Sequence, residues 1–420
     1  FEVIDKTLSF FRSLMPNWLF KMGQPIYHYA LSLLAAIWYR FPARHIKIVI
    51  ITGTKGKSTT VAILSAVLEE AGFKIASSST IESKIGPKIE RNLYKMTTPG
   101  RFFLQRFLRQ AVDTGCEYAI IEMTSQAVSQ YRHKFIDLDA VIFTGIHPEH
   151  IDAHGSFENY LASKLELPKA LERSPKRPRI SIANIDDPFG ERFLSFDIEN
   201  NVGFRLSDWP NLKTKLRGDF NKMNIIAAVT YAVSQGVGNE AIRKAIEKFA
   251  GVPGRMEMID SAKEKGFEII IDYAHTTGSL EEVYKLFKDR NLIGVLGSCG
   301  GGRDKWKRPQ MGKIAEKYCK KIFLTNEDPY DEDPQAIVGD ILAGITDQKK
   351  VDVIMDRRKA IAKAFEYAYA NKNDGNNQDT VVLITGKGTD PYIMGPRGSK
   401  EPWSDKRVAE EELAKLGKAT

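Results

Sequence analysis

A chain of 420 residues is long enough for two or three domains, each burying its own core, and 43% hydrophobic with 27% charged residues excludes a disordered or fibrous protein. The formal charge of +8 suits anionic partners such as nucleotides, phosphorylated sugars, acidic peptides or an anionic membrane face; the cations are scattered rather than gathered in one tail, so no nucleic-acid partner is expected. Three cysteines, Cys116, Cys299 and Cys319, are too few and too far apart for a disulfide framework or a four-cysteine zinc site, which fits a reducing cytoplasm.

Charges interrupt the first residues and no small-residue cleavage site follows, so a secretory signal is not expected. A start at Phe1 rather than Met leaves room for residues upstream. Residues 26–39 (IYHYALSLLAAIWY) carry no Asp, Glu, Lys or Arg, with Lys21 before them and Arg40, Arg44 and Lys47 after. The run is shorter than the roughly 20 apolar residues of a spanning helix. Two readings stay open: a helix packed on the first domain, or a helix lying in the membrane interface, anchored by Trp38, Tyr39 and the flanking cations. The second would make residues 10–44 a contact with the inner face of the membrane.

From His45 onward, short runs rich in Val and Ile alternate with amphipathic stretches, the pattern of an α/β protein with parallel sheets covered by helices. Residues 45–52 (HIKIVIIT) read as a buried strand, followed by a glycine turn and a helix over residues 57–71. Residues 118–123 and 140–144 read as further strands. The pattern breaks at residues 251–255 (GVPGR), a linker. It restarts with strands near 267–271, 292–296, 321–325 and 380–385. Residues 371–379 (NKNDGNNQD) read as a surface loop. Three parts are therefore expected: a short helical arm over 1–45, a phosphate-loop domain over 46–250, and a Rossmann-like domain over 251–420.

Gly53, Thr54, Lys55, Gly56, Lys57, Ser58 and Thr59 (GTKGKST) follow a strand and open a helix, as a phosphate cradle requires. Lys57 would neutralise the β/γ-phosphates, and Ser58 or Thr59 would hold Mg²⁺ or a phosphate oxygen. The spacing is not the full G-x-x-x-x-G-K-[ST], since Ile51 stands at the first glycine position. Glu122 ends a predicted strand at the same sheet edge and suits Mg²⁺, which prefers a carboxylate plus phosphate oxygens. After the strand at 140–144, His147, Glu149, His150, Asp152 and His154 crowd into eight residues. Such density reads as a metal site, or as polar loop residues bonding their own backbone.

The compact TGT-x-GKST loop resembles that of the Mur ligases and the related folylpolyglutamate synthases. Those families usually carry Asn where this chain has Lys55, so an extra cation is expected to tighten phosphate contact. HPEHIDAHGSFENYLASK resembles the Mur segment in which a DHLDxH loop leads into a helix bearing ExYxxxK; Glu158, Tyr160 and Lys164 hold that spacing, while Glu149 (usually Asp) and Gly145 (usually Asn) depart from it. The resemblance implies ATP, two Mg²⁺ ions, a carbamylated Lys164, and His150 as a ligand of the second ion.

The resemblance runs from residue 46 to the C-terminus. VPGRME (252–257), DYAHT (272–276) and GGGRDKWKRPQMG ending at Gly312 look like the MurE type, the UDP-N-acetylmuramoyl-dipeptide:amino-acid ligases. MTTP (96–99), EMTS (122–125), NIDDP (184–188), LRGDFNKMN (216–224) and DRRKAI (356–361) agree. It implies that Asn224, Arg255 and Asp272 contact ATP, and that Thr97, Thr98, Ser125 and Arg132 hold the muramyl-peptide acceptor. Arg303 would hold the α-carboxylate of the incoming amino acid, in a site shared with Asp328, Tyr330, Gly386 and Asp390.

Family members that add meso-diaminopimelate carry DNPR, whose Arg grips the distal carboxylate. This chain reads Glu327-Asp328-Pro329-Tyr330, and Asp390 stands where the family uses Glu to bind the distal amine. An acid without that Arg favours L-lysine, then ornithine, with meso-diaminopimelate retained if neighbouring cations replace the Arg. Enzymes of this type begin with a separate UDP-binding domain, yet only 45 residues precede residue 46 here. Either the acceptor is lipid-linked and the arm rests on a membrane, or UDP is not gripped. The expected protein is a cytoplasmic monomer forming an amide through an acyl-phosphate; the rivals are a non-catalytic nucleotide-binding partner of wall enzymes and a ligase for another peptide polymer.

Overall fold

The computed structural model describes residues 17–94, 96–149, 151–209, 213–302, 305–371 and 379–417. His150, Arg303, most of the loop at 371–379 and the arm before residue 17 lie outside the described residues.

The first half runs through α1 (Asn17–Trp38), β1 (Lys47–Thr52), α2 (Lys57–Glu70), β2 (Ile75–Ser78), β3 (Glu82–Ile85), β4 (Lys88–Arg91) and α3 (Arg101–Asp113). It continues through β5 (Tyr118–Glu122), β6 (Ala140–Phe143), α4 (Phe157–Glu172), β7 (Ile180–Asn184), β8 (Asn200–Phe204) and α5 (Asp219–Ser234). The eight strands form one sheet in the order β4-β3-β2-β5-β1-β6-β7-β8, parallel except for the β3–β4 hairpin at one edge. β1 lies near the middle. Val49 and Ile51 enter one core and Ile48 and Ile50 the other. A strand covered on both faces has no polar side to alternate with, so its sequence is a continuous apolar run.

The second half holds β9 (Glu257–Met258), β10 (Glu268–Asp272), α6 (Thr277–Lys285), β11 (Asn291–Leu296), α7 (Lys307–Tyr318), β12 (Lys321–Leu324), β13 (Val351–Val353), α8 (Arg357–Ala370), β14 (Thr380–Thr385) and α9 (Asp405–Lys415). Its sheet runs β13-β12-β11-β14-β10-β9, parallel apart from β9. Ile269 and Ile271 face one core and Ile270 the other, which repeats the two-sided burial of the first sheet. Both sheets therefore follow the α/β expectation.

Several boundaries differ. The predicted strand at 45–52 begins at Lys47, because Pro42–His45 form a short 3-10 turn ahead of it. The β3–β4 hairpin was not foreseen, since Glu82–Ile85 and Lys88–Arg91 are partly or fully exposed and carry little apolar signal. The arm helix is longer than the apolar run that announced it, extending over Asn17–Trp38 through Pro25. Ala35 and Ala36 are fully buried and Ser32 Oγ lies 2.9 Å from both the His28 and the Tyr131 carbonyl oxygens, so one face of α1 packs on the first domain.

Candidate active site

Strand β1 ends where the phosphate loop begins, and the loop turns on glycines that have no substitute. Gly53 has φ +152° and Gly56 φ +80°; a Cβ on Gly56 would stand 2.1 Å from Asn224 Oδ1. α5 thus presses Asn224 against the loop that opens α2. At the head of α2 the first amides have no intrahelical acceptor and no side chain caps them, which is the donor set a phosphate group needs. Lys57 Nζ lies over the loop, donating 2.8 Å to the Thr54 carbonyl. Burial holds its pKa down, while Glu122 and Glu149 draw it back up.

Glu122 closes β5 beside this loop. Its Oε2 accepts from Ser58 Oγ at 2.8 Å, from Thr80 N–H at 2.8 Å and from Thr80 Oγ1 at 3.0 Å. A buried carboxylate pinned to Ser58 in this way fits one Mg²⁺ held by carboxylate, hydroxyl and phosphate oxygens. Among the described residues no three His, Cys, Asp or Glu converge on a further metal cage. Thr80, absent from the sequence reading, sits in the loop after β2 and also meets Thr97 at 2.9 Å; a lone Thr between two short strands gives no signal.

Lys164 comes from α4, a helix started by the Ser156 side chain capping Asn159 N–H. It is buried, and Nζ donates 2.8 Å to the Gly53 carbonyl. Burial, and then the Lys57 charge, drive its pKa well below the usual lysine range. Tyr160, one turn earlier, meets Thr54 Oγ1 at 2.9 Å. The ExYxxxK spacing thus places both side chains beneath the phosphate loop.

Thr97, Thr98, Ser125 and Arg132 form the opposite wall. Thr98 Oγ1 donates to the Glu122 carbonyl at 2.9 Å, and Arg132 donates to the Thr98 carbonyl and, at 2.6 Å, to Gln130 Oε1. Burial and the neighbouring Arg101 charge bring the Arg132 pKa down to about 10. Ser125 Oγ lies 3.0 Å from His154 Nε2.

The second domain supplies the remaining wall. Asp272, at the end of β10, accepts 2.7 Å bonds from Met256 N–H and Ala274 N–H, and burial raises its pKa. Its carboxylate thus fastens the VPGRME turn to the sheet. The Arg255 guanidinium lies 4.1 Å from the Tyr273 ring centroid, a cation–π geometry that fixes its plane.

The phosphate loop, Glu122, the wall of Thr97, Thr98, Ser125 and Arg132, Asn224, Arg255 and Asp272 line one cleft of about 1300 Å³. Four contacts tie its two sides: Lys55 to Glu282 at 3.2 Å, His275 to Glu149 at 3.5 Å, Arg217 to Glu268 at 2.8 Å, and Arg91 to the Thr389 carbonyl at 2.6 Å. The Lys55 ammonium, expected to tighten phosphate contact, pairs with Glu282 of the second domain.

Of the residues expected to hold the amino acid, Asp328, Tyr330, Gly386 and Asp390 belong to the second domain and do not line the cleft, and Arg303 lies outside the described residues. Asp328 Oδ1 accepts from Lys387 Nζ at 2.7 Å and Met394 N–H at 2.8 Å, both partners of the ion pair being buried. Asp390 Oδ2 is 3.6 Å from the same ammonium. Tyr330 has φ +53° and sets its ring against Gly301. A Cβ on Gly386 would stand 2.1 Å from Glu327 Oε2, a buried oxygen without a hydrogen-bond partner.

A phosphate loop on one α/β domain, closed over by a second α/β domain across a shared cleft, is the arrangement of an ATP-dependent ligase. The comparisons narrow it. Residues 51–232 match the Mur ligase middle domain, and residues 254–388 the Mur ligase, glutamate ligase domain. Two UDP-N-acetylmuramoyl-L-alanyl-D-glutamate–2,6-diaminopimelate ligases are similar along most of their length. The one from Aquifex aeolicus is 36% identical over 412 residues, covering 91% of this chain and 81% of its own. The one from Syntrophomonas wolfei is 33% identical with the same coverage. A solved structure of a diaminopimelate ligase superposes with TM-score 0.58 at 24% identity, covering 89% of this chain and 79% of that one. The chain belongs to the Mur ligase family, as an ATP-dependent acid–amino-acid ligase.

Proposed function

We propose that the chain adds L-lysine to a muramyl-dipeptide acceptor, forming an amide with release of ADP and phosphate. The observation that carries the ligase reading is the single cleft on which Lys57, the Ser58–Glu122 pair, the Thr98–Arg132 wall and Arg255 converge. Two anions, a carboxylate and a triphosphate, approach each other only where cations screen them. Lys57 and Arg255 supply that charge from opposite domains, and Mg²⁺ at Ser58 and Glu122 would polarise the phosphate oxygens. The acceptor carboxylate then takes the γ-phosphoryl group and ADP departs. The α-amine of the amino acid attacks the acyl carbon and gives up a proton to solvent or to the departing phosphate; the C–O bond breaks and inorganic phosphate leaves with its electron pair. The walls tied by Lys55–Glu282 and Arg91–Thr389 hold the amine to the acyl group and limit water.

A neutral amine is the form that reacts with CO₂, and the depressed pKa of Lys164 supports its carbamylation. The resulting carboxylate, with His150, would hold a second Mg²⁺. L-Lysine is favoured because, by resemblance, Tyr330 takes the position of the arginine that grips a second carboxylate, and Asp390, which also faces Lys387 at 3.6 Å, takes the position of the acid that binds an amine tip. Meso-diaminopimelate is the second reading, favoured by the names of the two relatives. Phosphate release from ATP and Mg²⁺ with UDP-linked or lipid-linked muramyl-dipeptide, against L-lysine, ornithine and meso-diaminopimelate, separates them. Release requiring both acceptor and one amino acid is expected; ATP binding without release for any pair would leave the non-catalytic reading.

A further inference from the structure

Of fifteen large hydrophobic side chains exposed among the described residues, six belong to α1: Ile26, Tyr27, Tyr29, Leu34, Ile37 and Trp38. Ile26 and Trp38 are 74% and 76% exposed, and Leu34 and Ile37 55% and 54%. At 100° per residue, Ile26, Tyr27, Leu34, Ile37 and Trp38 fall within a stripe of about 120°. The buried Ser32, Ala35 and Ala36 lie on the opposite side, against the first domain. Tyr29 points sideways, its ring 5.0 Å from that of Phe135 and 6.5 Å from that of Tyr131. The two readings of the arm are therefore not exclusive, because the helix packs with one face and leaves the other bare.

We propose that this outer face of α1 docks on an anionic lipid bilayer, lying in the interface without crossing it. The charge pattern selects that occupant. Between Lys6 and Leu68 the sequence has no Asp or Glu, while its first 47 residues carry Lys6, Arg12, Lys21, Arg40, Arg44 and Lys47. Arg44 pairs with Asp137 at 3.5 Å, but the run around α1 has no acid of its own, and its basic character complements anionic headgroups and repels a second copy of itself. Trp38 and Tyr27 are side chains that settle at the headgroup level. No described helix is long and apolar enough to cross a membrane, which leaves the in-plane geometry of an interfacial helix. The inner face links this surface to the cleft: His28 Nδ1 lies 2.5 Å from Arg101 Nη2, which donates to the Gln130 carbonyl, and Gln130 Oε1 holds Arg132. A docked helix is thus three side chains from the acceptor wall. Nothing in this inference depends on which amino acid is added, or on turnover.

The test is flotation of the full chain with phosphatidylglycerol–phosphatidylethanolamine vesicles and with phosphatidylcholine vesicles. The natural sequence is expected to float with the anionic vesicles, and less so as salt rises. Ile26→Ser, Leu34→Ser, Ile37→Ser and Trp38→Ser combined should reduce the floated fraction by about tenfold at an unchanged melting temperature. Arg40→Gln should lower partitioning by about fivefold. Should the quadruple variant unfold, Trp38→Phe provides a second readout, since the vesicle-induced blue shift of the tryptophan emission should vanish with it. No flotation of the natural sequence, equal flotation of the quadruple variant, or a dimer that this variant converts to monomer without any vesicle dependence would each overturn the proposal; the last would assign the face to a second copy. Because flotation requires no ATP and no acceptor, an inactive ligase leaves the result interpretable.

Discussion

Lys164 Nζ donates a 2.8 Å hydrogen bond to the carbonyl oxygen of Gly53, so a buried lysine of α4 is fastened to the first residue of the phosphate loop. Burial and the nearby Lys57 charge lower the pKa of that amine well below the usual lysine range, a shift toward the form that the proposed reaction with CO₂ requires. Lys164→Met should keep ATP binding but lower phosphate release by roughly 100-fold. Stripping CO₂ from the natural sequence should slow release, and bicarbonate should restore it. Full activity of Lys164→Met in a stopped phosphate assay would remove the carbamate from the mechanism.

Glu122 receives three hydrogen bonds at one oxygen, from Ser58 and Thr80. Glu122→Gln would exchange the anion for an amide that also donates, weakening the hold on a divalent cation. The Mg²⁺ concentration giving half-maximal phosphate release should rise 10- to 100-fold, by analogy with the loss of a metal-orienting group. An unchanged Mg²⁺ titration would place the ion elsewhere.

On the proposed reading, Tyr330 selects the tip of the incoming amino acid. Tyr330→Arg should restore a planar guanidinium able to pair bidentately with a second carboxylate. The ratio of kcat/KM for L-lysine over meso-diaminopimelate should fall by at least about tenfold. A ratio that does not move, measured in the same phosphate-release assay, would shift the specificity to the loops around Asp390.

His133 is buried, and neither ring nitrogen has a hydrogen-bond partner. Burial, and then the adjacent Lys134, push its pKa down to about 4. The unfolded chain, with an ordinary His pKa near 6.5, therefore binds more protons than the folded one between pH 6.5 and 4. Stability must fall as pH drops through that window, by about 3 kcal/mol from this group alone. His133→Leu should lack that component, so urea midpoints of the variant and the natural sequence should diverge on going from pH 7 to pH 4.5. Parallel pH profiles would show that His133 is protonated in the fold.

Arg357 and Asp405 form a two-point ion pair at 2.9 and 2.8 Å that is almost wholly shielded from water. It joins α8 to the start of α9, and Arg357 also donates to the Thr385 carbonyl. Asp405→Ala leaves a buried guanidinium uncompensated and should destabilise the second domain by about 3–5 kcal/mol. Removing both charges, as Arg357→Met with Asp405→Leu, should recover most of that loss. Chemical denaturation of the three variants checks the order.

The sequence by itself determined the parts whose physics is local. The apolar runs at β1, β5, β6, β10, β11, β12 and β14 are legible because both faces of each sheet are covered, and GTKGKST is legible because a tight turn into a helix needs its glycines. The order of motifs gave the family. Only the tertiary structure decided the relationships that join distant segments. The exposed β3–β4 hairpin has no hydrophobic period, yet it carries Arg91 across to Thr389. Thr80 acquires meaning only beside Glu122, and Lys55 turns to Glu282 because α6 is folded against the phosphate loop. The arm shows the division most directly. Its apolar run announces a helix, but an apolar side chain looks the same in sequence whether it is buried or bare. Which face of α1 meets the protein is fixed by packing against Tyr131 and α3, a contact about a hundred residues away in the chain.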